Sequence, residues 1–164
     1  MRQFGSLAWM AEIHRLSPDA HARLSEELQD LTTRGRIEIA EKIEEARLLG
    51  DLSENGDYHA AKEEQGKMEG RIMHLNSVLE NCEILAETEA GVVAPGAVVE
   101  IRFEGDTITK TYLFGSIEER RDGMEVVSPG SPMGQALEGG RVGETVSYEA
   151  GGNELRVEIV AIEA

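Results

Sequence analysis

Three carboxylates follow one another at intervals of three residues in the segment 50–61: Asp51, Glu54 and Asp57. The segment begins with Gly50, a residue type that commonly ends helices, and it separates two long stretches of helical periodicity. A turn between two helices carries its side chains away from the body of a fold. Carboxylate oxygens in such a place suit a hard cation such as Mg²⁺, or a site that belongs to another molecule.

A simpler interpretation is that these acids only start a helix. Asp51 as the N-cap, with Glu54 three residues later, forms a variant of the capping box that needs no partner. A calcium loop of the EF-hand kind is excluded, because it needs ligands at alternating positions, a central glycine and a distant glutamate. Two or three carboxylates make an incomplete Mg²⁺ site, which would gain affinity if another molecule supplied the missing ligands. The residues by themselves leave the cap and the partial metal site open.

The elements that flank the turn are predicted to be two long helices. Ser17-Pro18-Asp19 is a strong helix start, and steps of 4, 3, 4, 4, 4 and 3 then join Leu24, Leu28, Leu31, Gly35, Ile39, Ile43 and Ala46. Alternating steps of 3 and 4 join Tyr58, Ala61, Gln65, Met68, Ile72, Leu75, Leu79 and Cys82. These two seams predict an antiparallel coiled-coil hairpin of about 30 residues per arm and about 45 Å in length. The extra four-residue steps predict a local relaxation of the supercoil near Gly35.

After residue 86 the period of the pattern falls to two. Residues 87–96 are predicted to be a linker, and strands are predicted at 98–103, 108–114, 124–127, 144–148 and 154–162. Ala150-Gly151-Gly152-Asn153 predicts a tight hairpin turn, and Ser131-Pro132 predicts a short helix that runs through Leu137. The predicted fold class is α+β: an N-terminal antiparallel α-helical coiled-coil hairpin over residues 13–86, then a C-terminal antiparallel β-sheet domain with one short helix over residues 97–164. Residues 1–12 are expected to be a flexible extension, and whether residues 1–9 belong to the native protein is left open.

Composition narrows the possible partners. Acidic residues outnumber basic ones by 32 to 16, which gives a formal charge of −16. A surface of this sign repels phosphate backbones, so independent nucleic-acid binding is disfavoured and a basic protein surface or a metal is the expected partner. Cys82 is the only cysteine, which excludes a disulfide within one chain and agrees with a reducing cytoplasm. No apolar run approaches the length of a membrane span.

The residues around the turn resemble a known protein family. Three segments are similar to motifs of the bacterial transcript-cleavage factors of the Gre type: Gly50-Asp51-Leu52-Ser53-Glu54-Asn55, Tyr58-His59-Ala60-Ala61-Lys62-Glu63 and Glu69-Gly70-Arg71-Ile72. The resemblance covers nearly the whole chain from about Ile13 onward. It implies an FKBP-like fold for the sheet domain. It also implies a cytoplasmic monomer that is not an enzyme in isolation but an accessory factor of RNA polymerase.

The resemblance also implies a mechanism. The hairpin would enter the secondary channel of RNA polymerase, where Asp51 and Glu54 would help to hold a second Mg²⁺ that is shared with the polymerase and not tightly bound by this chain alone. The backtracked 3′ end of the nascent RNA would then be hydrolysed. Five further residues match motif positions around the tip, with Asn55, Asp57 and Tyr58 as its supports and Arg47 and Lys62 as contacts to RNA or to polymerase.

Two other functions come into consideration. A related factor could occupy the channel and modulate transcription without cleavage, although the presence of both Asp51 and Glu54 argues against it. The sheet domain could also be an active prolyl isomerase, but that activity needs an aromatic-lined pocket and a shared fold does not carry function. The sequence departs from the family pattern at Ile37, where many relatives have proline, and at Gly56, where alanine or serine is expected. A helix kink near Gly35 is therefore left open.

Overall fold

The computed structural model describes residues 13–86, 89–121 and 123–163, so the predicted extension over residues 1–12 lies outside the described residues. The described chain divides into a hairpin unit, Ala22–Asn81, and a sheet unit that holds the described residues up to His21 and from Cys82 onward. The predicted α+β fold class, a helical hairpin followed by a mostly antiparallel sheet with a short helix, is confirmed. Within the described part of the chain, no helix is long and apolar enough to cross a membrane.

Two helical arms form the hairpin. The first arm comprises α1 (Pro18–Asp30), a π-helical segment (Leu31–Gly35) and α2 (Arg36–Leu48), and the second arm is α3 (Gly56–Glu80). Helix α1 begins as predicted, because Ser17 Oγ accepts a hydrogen bond from the backbone N–H of Ala20 at 3.2 Å. The two predicted seams face the interior of the hairpin, since every seam position on both arms is buried or partly buried.

The π-helical segment accounts for the irregular steps of the first seam. The three four-residue steps from Leu31 to Ile43 contain one residue more than a regular alternation, and a π turn holds one residue more than an α turn. Thr32 Oγ1 donates to the carbonyl of Leu28 at 2.7 Å and Thr33 Oγ1 donates to that of Gln29 at 2.6 Å. Such bonds compete with the regular backbone ladder. The predicted relaxation near Gly35 is therefore confirmed, in the form of a π-helical segment.

Helix α3 is shorter than the periodicity predicts. It has 25 residues and ends at Glu80, which corresponds to about 38 Å at 1.5 Å per residue. Cys82 lies instead in a short strand, β2 (Cys82–Ile84), which pairs in parallel with β1 (His14–Leu16). The prediction that Cys82 completes the helical seam is therefore wrong. The pairing of β1 with β2 supplies backbone hydrogen bonds that replace those of a further helical turn, and helical periodicity cannot reveal such a distant partner.

Five strands form the main sheet, in the order β5-β4-β3-β7-β6. They are β3 (Val98–Phe103), β4 (Lys110–Phe114), β5 (Glu125–Val127), β6 (Thr145–Ala150) and β7 (Asn153–Glu163). Every neighbouring pair is antiparallel except β4 and β5. The predicted turn between β6 and β7 is confirmed, because Ala150 pairs with Asn153 while Gly151 and Gly152 take positive φ values.

The core of the sheet unit lies between the sheet and helix α4 (Pro132–Leu137), which starts at the predicted N-cap Ser131. Val99, Ile101 and Phe114 are fully buried there. Val93, which falls in the predicted linker, packs into the same core and is 1% exposed.

A buried carboxylate joins distant parts of the sheet unit. Glu119 lies at the end of a 3₁₀ turn (Ile117–Glu119) and is 2% exposed. Its Oε1 accepts from the backbone N–H of Ser17 at 2.7 Å, and its Oε2 accepts from Ser17 Oγ at 2.8 Å. Gly115 makes room for this side chain: a Cβ at that position would lie 2.6 Å from Glu119 Cγ. The start of α1 is thereby held by a residue 102 positions away in sequence.

Candidate functional site

The turn with the acidic residues lies between α2 and α3 in the hairpin unit. Helix α2 ends at Leu48, and Gly50 follows with a φ of +146°, in the region that favours glycine. The prediction that Gly50 ends the first arm is confirmed. Residues 51–55 form the turn, and α3 begins at Gly56. The turn therefore starts and stops at well-defined helix ends, which restricts where its side chains can lie.

Asp51 organises the turn through local hydrogen bonds. Its Oδ1 accepts from the backbone N–H and from the hydroxyl of Ser53, both at 3.1 Å, as in an Asx turn. Its carbonyl accepts from the backbone N–H of Glu54 at 3.4 Å. Both Asp51 and Glu54 are exposed. Their carboxylates are therefore accessible to solvent and to any molecule that meets the turn.

Asn55, and not Asp51, is the N-cap of α3. Its Oδ1 accepts from the backbone N–H of Tyr58 at 3.1 Å. The interpretation of Asp51 and Glu54 as a capping box is therefore wrong, because the helix begins after both of them. The same amide of Asn55 donates through Nδ2 to the carbonyl of Ala46 at 2.5 Å. A single side chain thus ties the end of α2 to the start of α3.

Two other residues that the sequence analysis named lie in the first turn of α3. Asp57 is exposed at the positive end of the helix dipole, where a negative charge is stabilising. The half-buried ring of Tyr58 meets the ring of His59 edge-on, with 5.8 Å between the centroids. Both residues therefore adjoin the turn that carries Asp51 and Glu54.

The two basic residues lie on different arms, one on each side of the turn. Arg47 is in the last turn of α2, where its Nη1 lies 3.8 Å from the Glu44 carboxylate. Lys62 is in α3 and donates from Nζ to Gln65 Oε1 at 2.6 Å. Both side chains are exposed. Because exposed ion pairs contribute little, Arg47 can exchange Glu44 for another anion at small cost.

Ion pairs between the arms hold the stem that carries the turn. Arg71 donates from Nε and Nη2 to both carboxylate oxygens of Glu27, at 2.7 and 2.9 Å, and this bond lowers the pKa of Glu27. Arg36 binds Glu69 in the same two-pronged way, at 2.9 Å for each bond, and lowers its pKa. Bidentate pairs of this kind specify geometry as well as adding energy. They help to set the register of the arms and hence the position of the turn.

The donor set of the turn suits Mg²⁺ in kind but not in number. Asp51 and Glu54 offer hard carboxylate oxygens, which Mg²⁺ prefers. Across residues 13–86, 89–121 and 123–163, however, no three or more Asp, Glu, His or Cys side chains converge to hold a metal ion. Mg²⁺ also demands near-octahedral coordination. An ion at this turn would therefore need ligands from a second molecule.

Two apolar residues beside the turn belong to no motif or seam of the sequence. Leu48 is 79% exposed and Leu49 is 71% exposed, and both immediately precede Gly50. Leu48 falls outside the seam, whose last member on this arm is Ala46, so its exposure could have been predicted. Leu49 is three residues after Ala46 and would continue the seam, but α2 has ended at Leu48.

The N-terminal and C-terminal parts of the chain both match transcription elongation factors. Residues 14–84 match the family described as "Transcription elongation factor, N-terminal", and residues 87–164 match "Transcription elongation factor, GreA/GreB, C-term". The transcription elongation factor GreA of Saccharopolyspora erythraea is 45% identical over 151 residues, which cover 90% of this chain and 93% of that protein. GreA of Streptomyces coelicolor is 48% identical over 136 residues, which cover 82% of each chain. A solved structure of the transcription factor Gfh1 is 29% identical, covering 94% of this chain and 100% of that one, with a TM-score of 0.47. The chain therefore belongs to the GreA/GreB family of transcription elongation factors.

Proposed function

We propose that this elongation factor binds RNA polymerase, inserts the turn between α2 and α3 through the secondary channel, and stimulates the polymerase's own cleavage of backtracked RNA. In this proposal the chain is an accessory factor of a cytoplasmic enzyme and has no catalysis of its own. The observation that carries the proposal is that Asp51 and Glu54, in a chain of this family, are exposed carboxylates in the turn that joins the two arms of a hairpin.

The chemistry assigned to the turn is the provision of carboxylate ligands. Asp51 and Glu54 would hold a second Mg²⁺ jointly with the polymerase, and such an ion, when bound, neutralises charge at a phosphodiester and activates water. The Asp51 carboxylate is already oriented by the two hydrogen bonds from Ser53. Asn55 fixes the turn to the end of α2. Ligands held in place before binding lose little conformational entropy on meeting the ion.

The remaining residues around the turn would serve contact and charge. Arg47 and Lys62 are exposed cations on the two arms, available to RNA phosphates or to acidic groups of the polymerase. Asp57 would add negative potential beside the two ligands. The net charge of −16 fits a factor that meets RNA only inside the polymerase, since it disfavours binding to free nucleic acid. A factor that occupies the channel without cleavage is not favoured, because both members of the proposed metal-directing pair, Asp51 and Glu54, are present.

The test is a stalled, backtracked elongation complex with RNA labelled at its 5′ end. Wild-type protein in Mg²⁺ is expected to shorten the RNA. The variant Asp51→Asn/Glu54→Gln is expected to slow that reaction about a hundredfold or more, since a catalytic metal ion contributes several kcal/mol. Its thermal unfolding should match the wild type, because both side chains are exposed.

A matched control removes two carboxylates elsewhere on α2. Glu38 and Glu41 are both exposed, so Glu38→Gln/Glu41→Gln makes the same change in net charge without touching the turn. This control should cleave as the wild type does. A wild-type protein that shortens no RNA would refute the proposed function. Undiminished cleavage by Asp51→Asn/Glu54→Gln would refute the assignment of these two residues.

A further inference from the structure

Three exposed leucines lie close to the two acids of the turn in sequence. Leu48, Leu49 and Leu52 are 79%, 71% and 38% exposed. We call these three residues the leucine patch. Leu52 lies between Asp51 and Glu54 in sequence, and Leu49 lies two residues before Asp51. A surface that contacts both acids therefore lies within a few residues of all three leucines.

The surroundings of the leucine patch resemble the rim of a protein interface. Exposed charged residues occupy the nearby parts of both arms: Lys42, Glu44, Glu45, Arg47, Lys62, Glu63 and Glu64. An apolar centre with a polar, charged rim is the usual anatomy of a protein–protein contact. The cap of α3 and the bond across the turn are made by Asn55, whereas the side chains of Leu48 and Leu49 lie largely in solvent.

Charge and chemistry restrict what can cover the leucine patch. A second copy of this chain would bring its own acids and a charge of −16 against the same region, which opposes self-association. RNA phosphates gain nothing from leucine side chains and are repelled by Asp51 and Glu54. A protein surface with exposed apolar side chains, next to a cation site that attracts carboxylates, satisfies both the leucines and the acids.

We propose that the leucine patch packs against an apolar wall of RNA polymerase beside its catalytic centre. This contact sets how far Asp51 and Glu54 reach into the secondary channel. This inference rests on the proposed function, because it takes the polymerase as the partner. The leucines act as positioning residues through the protein contact. Their removal should weaken engagement of the factor, whereas loss of the acids should remove cleavage even when the factor is saturating.

The test compares Leu48→Ala/Leu49→Ala with wild type in the cleavage of backtracked RNA over a range of factor concentrations. Alanine keeps the helix propensity at the end of α2. We expect the concentration for half-maximal cleavage to rise about tenfold or more, while the rate at saturation stays close to wild type, because burial of two leucines is lost on binding. Leu48→Met/Leu49→Met should restore the wild-type concentration. The matched control is Ile37→Ala/Met73→Ala, which shortens two exposed apolar side chains elsewhere on the arms and should have no effect.

Binding to core polymerase without nucleic acid identifies the occupant. An equal loss of affinity for the core enzyme and for the elongation complex supports a protein wall, and a loss confined to the elongation complex overturns it in favour of RNA. An unchanged half-maximal concentration, or an equal rise in the Ile37→Ala/Met73→Ala control, also overturns the inference. Each of these results assumes that wild-type protein cleaves. A wild type without activity defeats the proposed function instead, so the two failures are distinguishable.

Discussion

Carboxylates in the two units of this protein behave in opposite ways. In the sheet unit, Glu119 is almost completely buried and both of its oxygens accept hydrogen bonds from Ser17. In the hairpin unit, Asp51 and Glu54 are exposed, and the bonds of Asp51 stay within the turn. A buried carboxylate is tolerated only when its oxygens are satisfied, so Glu119 is committed to the fold. An exposed carboxylate with spare acceptor capacity remains available to a partner.

Mutation of the buried carboxylate should change stability, whereas mutation of the exposed carboxylates should change activity. Changes around Glu119 should lower the free energy of unfolding and leave cleavage by folded protein intact. Changes to Asp51 and Glu54 should slow cleavage strongly and leave stability intact. Asn55 stands between these two cases, because it both caps α3 and fixes the turn that presents the acids.

The largest expected effect on stability comes from filling the space beside Glu119. Gly115→Ala places a Cβ 2.6 Å from Glu119 Cγ at a φ of +154°. Strain and displacement of the buried carboxylate should together lower the free energy of unfolding by about 3 kcal/mol. Urea denaturation measures this change. Gly56→Ala is the control: its Cβ meets no atom within 4 Å at the start of α3, so it should stabilise by about 0.5–1 kcal/mol. Equal behaviour of the two variants would contradict the tight fit around Glu119.

Glu119→Gln is expected to be the next most damaging change. The N–H donors of its amide group would face the backbone N–H or the hydroxyl of Ser17, which are themselves donors, in a site shielded from water. Loss of a charge-assisted bond there should lower the free energy of unfolding by about 2 kcal/mol. Cleavage at saturating factor and at a temperature where the variant is folded should equal wild type. A large loss of cleavage with unchanged urea denaturation would contradict the assignment of Glu119 to stability alone.

Asn55→Ala should affect stability and activity together. It removes the cap on Tyr58 N–H and the bond to the Ala46 carbonyl, at a cost of about 1–2 kcal/mol. Cleavage should fall by less than in Asp51→Asn/Glu54→Gln, because the acids remain but are held less firmly. Asn55→Ser keeps a capping oxygen and loses the bond to Ala46, so it should lie between wild type and alanine in thermal unfolding. A more severe effect for serine than for alanine would show that the cap is not the main contribution.

The smallest expected effect is the pH dependence of the hairpin stem. The bond from Arg71 depresses the pKa of Glu27 in the folded state, so its stabilisation is present above the unfolded pKa and is lost as the pH falls below about 4.5 towards the lower folded pKa. Glu27→Gln should reduce stability at pH 7 by less than about 1 kcal/mol, since the pair is partly exposed. The difference from wild type, followed by the helical circular dichroism signal during denaturation, should vanish at strongly acidic pH. A difference that grows on acidification would reverse the sign assigned to this pair.

Much of the hairpin was predictable because its signals are local. Two seams of regular spacing, a Ser-Pro helix start and a glycine stop define the arms and the turn between them. The predicted strands and the Gly-Gly turn are also local patterns, and the structure confirms them to within a few residues. The site residues around the turn were named from the motif, and their roles stay predictions.

Other features required partners that are distant in sequence. Whether Asp51 or Asn55 caps α3 depends on where the helix begins, and the bond from Asn55 to Ala46 across the turn contributes to that choice. The end of α3 before Cys82 depends on the pairing of β2 with β1. No spacing in the chain indicates these contacts, because each joins groups that periodicity does not relate.

The amino-acid sequence by itself thus determined a helical hairpin with an acidic turn, followed in the chain by a small sheet, since side-chain periodicity and turn chemistry act between near neighbours. Only the tertiary structure decided which acids are available. Both oxygens of Glu119 are bonded to Ser17 in the interior of the sheet unit, whereas the end of α2 at Leu48 leaves the leucine patch and the two acids in solvent. The reason is physical: exposure and hydrogen-bond satisfaction are properties of the packed chain, so identical carboxyl groups acquire different roles only after folding.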